Sequence, residues 1–246
     1  MSSEDQEHVG RDVQTTWAKP VDKLKVSASG AGVNINVDGR QLTNPLSGFG
    51  QMWQKTYRIR LEGTDVEPKE LVKAWKENFP SYWPKGNRFY GRAGDMQPGD
   101  VALINMAGLE RMPLVSTGVM VIYADEESFS FMTPEGHMFA GMITFSAYEQ
   151  DGTIAQIQVL IRASDPIFEL TFRLGIGHKK EDAFWHQTLK NLAAYFDASG
   201  EVSQENVLVD SRVQWSQAGN IWHNAAIRTG LYAALSPVRW VKGLFK

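Results

Sequence analysis

Between Gly99 and Ala163 the sequence reverses direction repeatedly without leaving room for a helix, and that stretch decides what the chain can become. Short runs rich in β-branched and aromatic residues, Val101–Met106, Val115–Ala124, Phe129–Thr133, Met138–Tyr148 and Thr153–Ala163, are separated by turn residues. The last two flank Glu149-Gln150-Asp151-Gly152, whose Asp-Gly pair suits the positive φ of a hairpin turn. Thr153–Ala163 alternates strictly. Ala155, Ile157, Val159, Ile161 and Ala163 face one way, and Gln156, Gln158 and Arg162 face the other. An antiparallel meander of this kind has one face to bury, and that face needs a cover.

The cover is supplied on both sides of the meander. Upstream, Tyr57–Glu62 reads as a strand with Tyr57, Ile59 and Leu61 on one face. A helix follows, capped at Thr64 or Asp65, with Pro68 in its first turn and Leu71, Val72, Trp75 and Phe79 as its apolar stripe; Pro80 and Pro84 end it. Downstream, Ile167–Leu174 fits a strand or a helix equally well. Lys179–Phe196 then reads as a long amphipathic helix with Phe184, Trp185, Leu189, Leu192, Tyr195 and Phe196 inward and Asp182, His186 and Lys190 opposite. The pattern predicts an α+β fold in which a curved antiparallel sheet grips the long helix. Residues 1–50 are expected to form an N-terminal arm, polar through Lys19, with a short strand over Gly32–Val37 closed by Asp38-Gly39. Residues 51–200 form the domain, and 201–246 a linker followed by a basic helical tail with Ala218–Leu235 as its helix.

That order of elements over residues 54–197 resembles the START-like, helix-grip superfamily (SRPBCC), which includes the birch-pollen-allergen-like proteins and polyketide cyclases. The stretch Thr133-Pro134-Glu135-Gly136-His137, continuing through Gly141 and Phe145 to Asp151-Gly152-Thr153, is similar to a branch of it whose chemistry is not characterised. The resemblance covers about three-fifths of the 246 residues. It implies an apolar cavity between the sheet and the long helix, and dictates no chemistry.

Composition removes several classes of function. The chain has no Cys, so thiolate nucleophiles, disulfides and Cys-based metal sites are excluded. A net charge of −3 gives no global basic field for nucleic acid. Met1–Arg11 lacks the apolar core of a signal peptide, and no apolar run reaches the length of a membrane span, so a cytoplasmic protein is expected.

Four constellations are candidate sites. Glu135 and His137 share a turn and could act as an acid–base pair; the plainer alternative is that His137 caps its own turn. His178, Asp182 and His186 fall at i, i+4 and i+8, a spacing that stacks metal ligands on a helix, but they share a face with Lys190 and read as solvated, so no metal is expected. Gly175-Ile176-Gly177-His178-Lys179-Lys180 has Lys180 where the dinucleotide fingerprint requires its third Gly, so no nucleotide cofactor is expected either. Finally, Ser211–Lys246 contains five basic residues, no Asp or Glu, and the aromatics Trp215, Trp222, Tyr232, Trp240 and Phe245. The tail is expected to pack on its own domain or on a second copy in a homodimer, with a membrane surface as the alternative.

The function expected is binding of a small apolar or aromatic molecule. The walls would be Ile143 and Phe145, Ile157, Val159 and Ile161, and, on the helix, Trp185 and Leu189. A cyclase or hydrolase using Glu135 and His137, and a scaffold acting through its tail, are the alternatives.

Overall fold

The structure, a computed structural model, describes residues 13–26, 34–92, 96–106 and 114–235. A short helix α1 (Val13–Thr16) and β1 (Leu42–Thr43) belong to the arm. The domain follows as β2 (Met52–Arg60), α2 (Pro68–Glu77), β3 (Arg88–Tyr90), β4 (Val101–Met106), β5 (Val115–Ala124), β6 (Ser128–Pro134), β7 (Phe139–Glu149) and β8 (Thr153–Ala163). Helices α3 (Pro166–Arg173) and α4 (Ile176–Tyr195), strand β9 (Val202–Asp210) and helix α5 (Ala225–Ala234) complete it. The strands run in the order β3-β4-β5-β6-β7-β8-β2-β9, every neighbouring pair antiparallel, and β1 pairs with β6 off this path.

Register brings the apolar faces together. Phe129 lies opposite Phe145, Phe145 opposite Ile157, and Ile157 opposite Tyr57; Phe131 lies opposite Ile143, and Ile143 opposite Val159. Because side chains alternate along a strand, these residues share the inner face, where they form one buried cluster. Helix α2 adds Leu71, Val72 and Trp75, and α4 adds Leu189, Leu192 and Ala193. The curved sheet thus grips α4 as its pattern requires.

The structure departs from the expectation, or decides it, in several places; among them the expected helix Ala218–Leu235 is divided into a 3₁₀ helix over Trp215–His223 and then α5. Residues 34–39 form a turn and not a strand, with Val37 N–H donating to the Asn34 carbonyl. Their alternation has another cause: Val37 is buried against Leu103 and Met120 on the sheet's outer face, while Asn36 is buried as a hydrogen-bond hub. Helix α2 is entered at Glu67, with Pro68 at its first position, and not at Thr64 or Asp65. Ile167–Leu174 resolves as helix because Asp165 caps it, its Oδ1 accepting from the N–H groups of Ile167 and Phe168. Residues 202–210, read as a linker, pair with β2 along its length. Strand β9 is exposed on both faces, so backbone pairing, which leaves no apolar period, holds it in place.

Candidate functional site

The grip has an aromatic part and a charged part. Phe79, in the 3₁₀ turn Phe79–Tyr82 that follows α2, packs edge-on against Trp83, Phe89, Phe129, Phe131 and Phe145 at centroid distances of 5.0–5.7 Å. Trp75 meets Phe145 at 5.3 Å, and Trp185 meets it at 5.7 Å. The seven expected wall residues all join this cluster, with Ile143 and Trp185 partly buried and the other five buried. Two open grooves lie elsewhere on the surface: one of about 430 Å³ beside Arg58, Arg60 and Tyr148, one of about 690 Å³ between the arm and β4–β5. Among these rings the indole N–H groups of Trp75 and Trp83 are buried without an acceptor.

At the charged part, Lys55 points inward from β2, fully buried. Its ammonium donates to Glu181 Oε2 and to Asp182 Oδ1, both at 2.7 Å, and the Tyr57 hydroxyl donates to the same Asp182 oxygen at 2.7 Å. Burial pushes the Glu181 carboxyl up to about 7, against the opposing pull of Lys55. Burial also raises Asp182, but hydrogen bonds from Lys55, Tyr57 and Gln204 outweigh it, and this carboxyl is held below its usual range. Tyr57 is raised by burial and by the charge of Glu181. His178 is lowered to about 4 by burial and by Lys55, and its Nδ1 and Glu181 Oε1 lack partners. Asp182 therefore does not lie on a solvated face but turns to the sheet, while His186 makes an exposed bond to Gln204 of β9 at 2.8 Å. Among the described residues no group of three or more His, Asp or Glu is arranged to hold a metal ion.

The Glu135–His137 turn has a different task. Burial lowers the His137 imidazole to about 4, and its Nδ1 accepts from Phe139 N–H at 3.0 Å, which is the local cap. Glu135 turns to Arg40 at 3.3 Å and to His223 Nδ1 at 2.8 Å. Gly136 sits at φ +86°, its carbonyl accepts from Ala225 N–H at 2.8 Å, and a Cβ there would run into the His223 carbonyl oxygen. Glu135 and His137 thus face different partners, and their turn seats the C-terminal segment.

Sequence reading missed Lys55, Tyr57, Glu181 and the two indoles. A signal for the first three was present. Two residues upstream of the inward Tyr57 and Ile59 stands Lys55, and four before the inward Trp185 stands Glu181, so both apolar faces carry one charge and the signs are complementary.

No family model matches the sequence, and no curated protein matches it. Solved structures do. KanY protein is 11% identical, with a TM-score of 0.45 over 60% of this chain and 99% of its own. The di-domain ARO/CYC StfQ from the steffimycin biosynthetic pathway is 9% identical, with a TM-score of 0.46 over 60% of this chain and 51% of its own. Major latex-like protein 151 from Panax ginseng is 15% identical, with a TM-score of 0.38 over 60% of this chain and 99% of its own. At these identities, and with TM-scores below 0.5, the likenesses assign neither a family nor a ligand to this chain. Among the described residues no helix is long and apolar enough to cross a membrane.

Proposed function

We propose that the chain binds a small, largely aromatic molecule carrying a hydrogen-bond acceptor, held between the inner face of the sheet and α4. The observation that carries this is the pair of unmet indole donors, Trp75 and Trp83, inside an aromatic core. An unsatisfied buried donor costs about 1–3 kcal/mol, and a carbonyl or hydroxyl oxygen on a flat ligand would relieve it. Phe145 and Trp185, in ring contact at 5.7 Å, would part to line such a ligand, with Ile143, Ile157, Val159, Ile161 and Leu189 as the remaining walls. Entry requires a ring to move. Phe79 is the candidate gate, because it lies between the rings of both walls and stands on a short 3₁₀ turn and not on a long helix. The Lys55–Glu181–Asp182–Tyr57 network pins the first half of α4 to β2, so the walls keep their spacing while the gate moves.

Native mass spectrometry of freshly purified protein tests this reading. A small-molecule adduct released by organic denaturation, and lost in the Trp75→Phe/Trp83→Phe variant, is the expected result. A bare mass, with no saturable change in melting temperature on adding polycyclic aromatic ketones, would overturn it. The alternative in that event is a solid domain that acts only through its surface.

A further inference from the structure

Two polar atoms near the start of α4 are buried and unspent. Glu181, 7% exposed, offers Oε2 to the Lys55 ammonium at 2.7 Å, while its Oε1 has no partner. His178 stands three residues earlier, on the neighbouring turn of the same helix face, and its Nδ1 is likewise buried and unmet. Neither atom bonds the other. Neither is needed to pin α4 to β2, a task that uses Glu181 Oε2 and Asp182 Oδ1 alone. Aromatic rings wall the place: the His178 imidazole lies edge-on to Phe172 of α3 at 4.8 Å and to Trp53 of β2 at 5.1 Å. Buried polar atoms are almost always hydrogen-bonded, so two unmet ones on adjacent turns mark where a polar group belongs.

The chemistry of the pair narrows what that group is. A cation would meet the Lys55 ammonium, which already sits on the Glu181 carboxyl, and an anion would meet the carboxyls of Glu181 and Asp182. The group is therefore neutral. Burial keeps the imidazole uncharged, lowering it to about 4, and raises the Glu181 carboxyl to about 7. A neutral imidazole nitrogen donates or accepts according to its tautomer, and a carboxyl oxygen donates when protonated and accepts when ionised. A hydroxyl both donates and accepts, so it can bridge a donor and an acceptor, which a carbonyl cannot. We propose that Glu181 Oε1 and His178 Nδ1 together seat a hydroxyl group of the ligand. The inference rests on the aromatic ligand proposed above and specifies it. Trp83, one of the two indoles that would meet the ligand's acceptor, packs on Phe184 at 5.1 Å. Phe184 lies three residues beyond Glu181 and six beyond His178 on α4, about 5–9 Å along the helix axis. The ligand is then a fused-ring ketone that carries its hydroxyl across the ring system from its carbonyl.

Isothermal titration of the full chain with 6-hydroxy-1-tetralone and with 1-tetralone provides the test, because the two ketones differ only in the hydroxyl. The hydroxylated ketone is expected to bind about tenfold tighter or more. His178→Phe keeps a ring between Phe172 and Trp53 and removes the unmet nitrogen. It should cut that preference to about threefold or less without lowering the melting temperature. Equal binding of the two ketones by the native chain, as a bridging water alone would give, overturns the inference and leaves the binding reading standing. So does a preference that His178→Phe leaves intact. If neither ketone binds, the binding reading itself fails, and this inference with it.

Discussion

The inner face of the sheet and the C-terminal segment obey opposite rules. Inside the grip, apolar side chains meet one another, and the buried Lys55 is matched by Glu181 and Asp182. At the C-terminal end, polar groups face the domain and apolar ones face outward. The first arrangement holds a fold together; the second keeps a surface available while a few directional bonds fix its position. Where a side chain spends its apolar area therefore separates structure from contact here better than the sequence pattern does, since both regions read as amphipathic.

Substitutions should separate the two regions by size of effect. Phe79→Ala removes the ring at the centre of the aromatic cluster and should destabilise by about 3–5 kcal/mol in chemical melts. A smaller loss would mean that the turn carrying Phe79 collapses freely into the space. Lys55→Met leaves Glu181 and Asp182 facing each other without a counter-charge, and should cost about 3 kcal/mol or more. Restoring stability by adding Glu181→Gln and Asp182→Asn would show that the cost is electrostatic.

The next effect depends on pH. Glu181 stays protonated in the fold to about pH 7, whereas in the unfolded chain it ionises near its usual 4.5. Between those values the folded chain binds more protons than the unfolded one, so stability falls as pH rises. Glu181→Gln lacks this fall. The difference in unfolding free energy, variant minus native, should grow across the window by roughly 3 kcal/mol in total. A flat difference would place the carboxyl in a solvated site.

At the C-terminal end the effects shrink. Asn224→Ala removes the bond to the buried Asp165 and should cost about 1–3 kcal/mol, with faster proteolysis of the segment after residue 211. Trp222→Ser touches only exposed surface and should change stability by less than about 0.5 kcal/mol. A large loss there would mean that the exposed ring belongs to the domain's own packing and would erase the contrast.

How much of this was legible follows from where the energy lies. Strand β8 and the stripe of α2 are visible in sequence because burial writes a period on them, whereas β4 and β5 are legible as buried apolar runs between turns. Strand β9 is not: Ser203, Gln204, Glu205 and Asn206 are exposed, and β9 is held by hydrogen bonds that any residue could make. The turn at Asn34–Val37 imitates a strand because Asn36 is buried for its amide and Val37 for its methyl groups. The seven wall residues were legible as one face, but the space between them is set by rings from Phe79 and Trp83, whose reach no period encodes.

The most direct test of the grip as a binding site is the indole N–H spectrum of ¹⁵N-labelled protein, with Trp75 and Trp83 assigned through their Phe variants. On titration with a flat aromatic ketone, the account predicts that those two resonances move downfield together and saturably, while Trp215 and Trp222 stay in place. If the ketone binds saturably and neither indole moves, or if no compound of this class binds at all, the grip is a solid core and the claim is wrong.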